Sequence, residues 1–350
     1  MTSHLNHAAL DRIASKYARR DDTTQVRFAV SHPATGESWS WQQPGATDDF
    51  FLASSTKLFT TAIVCQLAAE GSLSFDTPAA QLLPTDALAG VHVIDGVDRS
   101  DEVTIAQLLG HTSGIADYFE GTLPSGSTVF DDLQHEDFGW DTKQALEWAR
   151  EIGAKFAPGE KGRALYSDTN FQILQWVIEE LDGKPYAESV ATRICSPLGL
   201  SRTRIFGAQD VARYGDVAGF LHGTEELRIP LAMASVQADG GGVSTTQEAL
   251  TFLEAFFAGR LFPASMVETL TAEWRRIFFP LQYGLGVMRF KLPWYLTLRP
   301  TPELIGHSGA TGTVTFAAPS RGLYVAGSVN QTKNRSLVYR AVSEILAKAV

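Results

Sequence analysis

Apolar residues along this chain follow two periodicities that change over at defined points. Near the start, Leu10, Ile13, Ala14 and Tyr17 recur at helical spacing behind Asn6, a residue suited to cap a helix. Two β-rich stretches follow, 26–30 and 38–41, joined around Pro33-Ala34-Thr35-Gly36. Leu58, Ile63, Leu67 and Ala68 then mark a helix that Gly71 stops. From about 76 to 235 helices and long polar loops dominate, with a clear stripe at Phe171, Leu174, Val177, Ile178 and Leu181 ended by Gly183. A capping box, Thr245-x-x-Glu248, precedes Leu250, Leu253, Phe256 and Phe257. Strand-like text returns at 284–290, 313–317 and 323–329, with Pro319-Ser320-Arg321-Gly322 turning between the last two, and a helix over about 336–348 closes the chain.

Strands therefore open and close the chain around a helical block. This order predicts an α+β fold, with one antiparallel sheet built from both chain ends and flanked by the N- and C-terminal helices. Residues 1–75 and 236–350 form the sheet domain in this reading, and 76–235 form a mainly helical inserted domain. The cleft between them is the expected place for a site.

With 350 residues, 44% of them hydrophobic and 19% charged, the chain has an ordinary globular composition and enough length for a large core. A net charge of −10, with acidic clusters at Asp21-Asp22 and Asp131-Asp132, argues against nucleic acid or an anionic membrane as partner. Cys65 falls within an apolar helix, where a buried free thiol is the default; a disulfide with Cys195, the only other cysteine, stays open. The first residues lack an apolar signal core, and no run reaches membrane-spanning length. As written the chain reads as cytoplasmic; removal of an export leader would make it periplasmic or secreted.

Three segments carry chemistry. Ser54-Ser55-Thr56-Lys57 puts a hydroxyl and an amine one helical turn apart, on one face. A serine hydroxyl needs a nearby base, and a partly desolvated lysine supplies one. At the first turn of a helix, free N–H groups also favour developing negative charge. The plain alternative is a capping serine and a solvated lysine. Tyr166-Ser167-Asp168-Thr169-Asn170 precedes the Phe171 stripe, so Tyr166 is either a proton relay or a surface residue ahead of a cap. Gly306-His307-Ser308-Gly309-Ala310 enters the strand over 313–317, either as a close-approach edge with an oxyanion donor or as a plain Gly-rich turn.

In this order, Ser-x-x-Lys, Tyr-Ser-Asp and His-Ser-Gly resemble the active-site motifs of the serine β-lactamase-like fold, in the branch of class C β-lactamases, D-alanyl-D-alanine carboxypeptidases, D-aminopeptidases and β-lactamase-like carboxylesterases. Leu108 to Ile115, Gly240 to Thr245 and Gly327 to Gln331 belong to the same pattern. The resemblance implies Ser54 as the acylated nucleophile, with Lys57 and Tyr166 sharing its proton and the N–H groups of Ser54 and Ala310 forming the oxyanion hole. Asp168, His307, Ser308 and Gly309 fall at substrate-binding positions, His307 where many members carry lysine; His111 is expected to hold a loop. Asp168 stands where asparagine is more frequent. An ionised aspartate only accepts hydrogen bonds and favours a protonated Lys57, leaving Tyr166, its pKa lowered by that cation, as general base.

Other chemistries fit less well. Gly306-His307-Ser308-Gly309-Ala310 approaches a nucleophile elbow, but neither Asp nor His follows Ser308. The eight histidines form no metal-ligand spacing, Gly240-Gly241-Gly242 lacks the Gly-Lys-Ser/Thr of a phosphate loop, and Gly284-Leu285-Gly286 lacks the third glycine of a dinucleotide fingerprint. The expectation is thus a serine hydrolase with no cofactor and no metal, acting on a small ester, amide or peptide, with short esters or small amides first, D-amino-acid peptides next and β-lactams last. An acylated sensor without turnover is the non-enzyme alternative. Trp274, Phe278, Phe279, Trp294 and Tyr295 suggest core or lid packing, or an apolar acyl pocket.

Overall fold

The computed structural model describes residues 4–292 and 301–349. Eight antiparallel strands make the main sheet: β1 (Arg27–His32), β2 (Glu37–Gln42), β3 (Arg275–Phe278), β4 (Leu281–Tyr283), β5 (Met288–Phe290), β6 (Leu304–Gly309), β7 (Thr313–Ala318) and β8 (Leu323–Ser328). Their spatial order is β3-β4-β5-β6-β7-β8-β1-β2, so the first strands of the chain complete the sheet begun by the last ones. Ala29 lies opposite Ala326 and Phe28 opposite Gly327, which joins the two chain ends in one register.

Alternation along β1, β7 and β8 divides the core into two layers. Phe28, Val30, Val314, Phe316 and Val325 are buried with Leu10, Ala14, Leu337, Ala341 and Ile345 from α1 (His7–Ala18) and α5 (Ser336–Ala349). Asn6 caps α1 by accepting from the Ala9 N–H at 3.2 Å. On the opposite face the small Ala29 and Ala326 let α2 (Lys57–Ala69) and α4 (Thr246–Phe257) pack close, where Phe59 and Phe252 stack at 3.7 Å. That second cluster continues into Leu108, Phe171, Leu174 and Val177, so the helical segment and the sheet share one apolar core.

Several sequence expectations shift in detail. Of the strand expected over 284–290 only β5 is strand; 284–287 form the turn that joins β4 to it, where the Gly284 N–H donates to Val287 O at 2.9 Å. Gly306 to Gly309 is strand β6 rather than a turn: Gly306 pairs with Phe316, and a Cβ there would lie 2.1 Å from the Thr315 carbonyl. The segment 76–235 also contributes strands, among them Arg204–Ile205, which pairs with Gly242–Ser244. Cys65 and Cys195 are both free and buried, which closes the question of a disulfide. Among the described residues no helix is long and apolar enough to cross a membrane.

Candidate active site

Ser54 sits on a 3-10 turn, Ala53–Thr56, that runs directly into α2, rather than within the helix itself. Ala53 takes φ of +45°, a backbone region that costs a non-glycine residue of order 1–3 kcal/mol. The turn is anchored on both sides: Leu52 N–H donates to Gly242 O at 2.8 Å, and the Thr56 hydroxyl accepts from Gly242 N at 2.8 Å. Gly309 of β6 comes so close that a Cβ on it would lie 2.6 Å from Ala53 Cβ and 3.2 Å from Ser54 N. Ser54, Ala310 and Gly309 thereby border one cavity of about 350 Å³.

Lys57, three residues after Ser54, is fully buried. Its Nζ meets Asp168 Oδ1 and donates to the Asp239 carbonyl, both at 2.6 Å. It also lies 5.1 Å from the Tyr166 ring centroid and 5.3 Å from that of Phe171. Burial alone would neutralise such an amine; Asp168, then Asp239, outweigh it and hold the pKa above its usual value. Lys57 is therefore an ammonium in the resting site.

Tyr166 is positioned by His111. The Ser167 N–H donates to His111 Nδ1 at 3.1 Å, which puts the ring proton on Nε2, and the two rings lie 4.3 Å apart. Asn170, beside them in α3 (Asp168–Asp182), accepts from the Ser113 hydroxyl at 2.8 Å. His111 thus holds the loop, as its place in the motif implied. Burial first and Asp168 second raise the Tyr166 phenol well above its usual pKa, with the neighbouring Ser54 hydroxyl acting in the opposite sense. The expected lowering of Tyr166 by Lys57 is corrected: the ammonium's charge is already matched by Asp168, so Tyr166 rests as a neutral phenol.

Of the expected substrate-binding residues, Asp168, Ser308 and Gly309 line the cavity and His307 does not. His307 is fully buried in β6; its Nδ1–H donates to Ser308 O at 2.7 Å and its Nε2 accepts from the Tyr283 hydroxyl at 2.8 Å. Burial, followed by Lys57, lowers it to about 3, so it is a neutral structural group and not a stand-in cation. Alternation along the strand turns Ser308 the other way, into the cavity and against Tyr339.

Sequence reasoning missed most of the cavity wall. Phe119, Phe130, Phe220, Ile229 and Met233 come from the helical segment, and Leu281, Met288 and Tyr339 from the sheet side. Asp117 and Asp239 were missed too. Asp117 accepts from the N–H groups of Asp168, Phe119 and Glu120, and Asp239 Oδ2 accepts from Tyr118 and Gln172. Of the aromatics singled out, Phe278 lines the cavity rim, Phe279 is exposed, and Trp274 lies under the Arg289 guanidinium at 4.6 Å; Trp294 and Tyr295 lie outside the described residues.

Residues 26–348 match the Beta-lactamase family model, and the chain belongs to that family. A putative D-alanyl-D-alanine carboxypeptidase of Escherichia coli K12 is 26% identical over 305 residues, covering 77% of this chain; the chain spans only 65% of that relative's length. A D-stereospecific amidohydrolase from a Streptomyces species matches 96% of this chain and 98% of its own, with a TM-score of 0.75 and 27% identity. D-amino acid amidase from Ochrobactrum anthropi shares the fold at a TM-score of 0.78 and 21% identity, over 97% of this chain and 98% of its own.

Proposed function

We propose that the protein is a serine hydrolase that acylates Ser54 and hydrolyses small carboxylic esters or amides. The observation that carries this reading is that Ser54 and Tyr166 line one cavity, with the Lys57 ammonium 5.1 Å from the Tyr166 ring centroid and ion-paired to Asp168 at 2.6 Å. A neutral tyrosine serves as a two-way relay. As Ser54 Oγ bonds to the substrate carbonyl carbon, its proton passes to the Tyr166 oxygen, and the phenol proton passes to the departing oxygen or nitrogen. Lys57 stabilises negative charge on Tyr166 during the transfer, and the N–H groups of Ser54 and Ala310 are the donors for the carbonyl oxyanion. Water then attacks the acyl carbon by the reverse relay, returning the proton to Ser54.

A wall rich in Phe, Ile, Leu and Met suits an apolar acyl or leaving group. Similarity to the Streptomyces D-stereospecific amidohydrolase supports a second reading, an amidase acting on D-amino acid derivatives. The test is turnover of a p-nitrophenyl acyl ester and of a D-amino acid amide, with mass spectrometry for the acyl adduct on Ser54. An adduct that never turns over would favour the sensor reading; no adduct at all would refute the hydrolase.

A further inference from the structure

The segment 233–240 is a partition between two cavities. Met233, Val236, Asp239 and Gly240 line the one that holds Ser54, whereas Ser235 and Gln237 line a second, of about 490 Å³. Helix α3 supplies part of its wall through the pairs Gln175–Glu179 and Trp176–Glu180, each four residues apart and so on one helix face. Trp140 and Asp141, just ahead of the helix Thr142–Ile152, border it as well. None of these residues takes part in the relay proposed above.

Side-chain donors of this second cavity are engaged within its wall. The Gln175 amide donates to Glu179 Oε1 at 3.3 Å, the Trp176 indole N–H to Glu180 Oε1 at 3.0 Å, and the Ser235 hydroxyl to Leu231 O at 2.9 Å. Acceptors remain. Among the described residues Glu179 and Glu180 take their bonds on Oε1 alone, and the Asp141 carboxylate takes the Gln144 N–H on Oδ1. Three carboxylates stand against one lysine, Lys143, among the described lining residues. A ligand seated here must therefore bring N–H donors and positive charge. The indoles of Trp140 and Trp176, both part-exposed, offer the faces that an alkylammonium prefers, with carboxylate oxygens for its protons. A neutral polyol would leave the charge unmatched.

The same wall leads to Lys57. Glu179 Oε1 also accepts from the Tyr186 N–H at 3.0 Å. The Tyr186 hydroxyl donates to that of Thr60 at 2.8 Å, and Thr60 donates to Ala238 O at 2.8 Å. From the other side, Gln175 Oε1 accepts from the Ala238 N–H at 3.3 Å. Ala238 is thus held at both its N–H and its carbonyl by groups that trace back to Glu179, and the next carbonyl, Asp239 O, receives Lys57 Nζ at 2.6 Å. A ligand that draws on Glu179 competes with these bonds, which is the differential contact that coupling requires. We infer that the second cavity is an effector site for a small alkylammonium, held by Trp140, Trp176, Glu179 and Glu180, and that its occupancy alters turnover through Ala238 and Asp239. This goes beyond the hydrolase reading and does not depend on which ester or amide is cut.

The experiment titrates intrinsic tryptophan fluorescence with cadaverine, with pentanediol as the neutral control at equal ionic strength and Nα-acetyl-lysine amide for an ammonium borne by a peptide. Turnover of a p-nitrophenyl ester is followed in parallel. The expected result is a saturable change with cadaverine, none with pentanediol, and ester turnover altered by about twofold or more at the same midpoint. Trp176→Leu and Glu179→Gln should each raise the midpoint by about fivefold or more, the scale of one cation–π contact or one charge-assisted hydrogen bond. Trp140 remains as reporter in the first variant, and glutamine in the second keeps an oxygen for the Tyr186 N–H. A lower midpoint for the lysine derivative than for cadaverine supports the site and identifies a peptide as the source of the ammonium. No saturable change, an equal response to pentanediol, or midpoints untouched by both substitutions overturns the inference. Binding that leaves turnover unaltered overturns the effector role, and a turnover effect that persists unchanged in both variants places the amine in the Ser54 cavity instead. The fluorescence arm needs no turnover: absence of any Ser54 adduct refutes the hydrolase reading and the effector role with it, while saturable fluorescence would still show the ammonium site.

Discussion

The Lys57 ammonium and the Asp168 carboxylate form a buried ion pair at 2.6 Å, its lysine three residues after Ser54. Desolvating both charges is costly, and the pair persists because the Asp239 carbonyl and the Tyr166 and Phe171 rings complete the ammonium's surroundings. Its consequence is electronic. The lysine is committed as a cation, and the same carboxylate raises Tyr166. The relay proposed above therefore starts from a neutral phenol.

Asp168→Asn tests this directly. Asp168 raises both Lys57 and Tyr166, so its removal lowers both pKa values. Both groups act in their protonated forms in the proposed relay, so any fall of kcat/KM at high pH that reflects loss of either proton must move to lower pH in the variant. The asparagine also supplies a donor to a substrate amide carbonyl, so the ester-to-amide ratio should fall. A pH–rate profile that does not move, or moves to higher pH, contradicts the assigned role.

Ser54→Ala should lower kcat by about a thousandfold or more, because nucleophile, relay and ammonium act as a unit. Ser54 borders the cavity and is not part of the apolar core, so the melting temperature should stay within a few degrees of the parent. Calorimetry beside ester turnover separates the two effects; retained turnover would refute the nucleophile.

Gly309→Ala probes the approach of β6 to the Ser54 turn. The added Cβ would fall 2.6 Å from Ala53 Cβ and 2.7 Å from Leu52 O, and both neighbours lie on a turn that already holds Ala53 at positive φ. The turn must shift, at a cost of about 1–3 kcal/mol in stability and with a disproportionate loss of kcat. Denaturant unfolding beside kinetics checks this; a variant with parental kcat would mean that the approach does not set the geometry.

How much of this was legible beforehand follows from which contacts are local. The joining of both chain ends in one sheet was readable, because β1, β2, β7 and β8 carry strand-like text bounded by turns. Strand β6 was not, since its two glycines resemble turn punctuation, whereas Gly306 is small to clear the Thr315 carbonyl and Gly309 to clear the Ser54 turn. Ser54, Lys57 and Tyr166 come together as their motifs implied. The neutrality of His307 was hidden, because burial and the Tyr283 bond are set by distant residues. Walls such as Phe130, Phe220 and Met233 were hidden for the same reason, being far apart in sequence.

The two thiols give a separate check on the core. Burial pushes Cys65 and Cys195 up to about 12, so neither supplies thiolate at neutral pH. Ellman's reagent should find essentially no reactive thiol in the native protein and two after denaturation without reductant. A native protein that still yields none after unfolding would mean that the pair is oxidised.

His307 carries the last prediction, on stability against pH. Its folded pKa is depressed to about 3, while an unfolded histidine titrates near 6.5, so below about 6.5 the unfolded chain binds a proton that the folded one refuses. Stability contributed by the neutral ring is thus fully present above that range and is lost as pH falls toward 3. The raised Asp117 and Asp239 act in the opposite sense, because their protonated forms are the stable ones in the fold. The histidine contribution is therefore isolated by difference. His307→Gln keeps a side chain able to accept from Tyr283 and donate to Ser308 O but cannot titrate, so its stability should fall less than the parent's between pH 7 and pH 5. Chemical denaturation at both pH values measures this, and parallel losses in the two proteins would mean that His307 is already charged in the folded state.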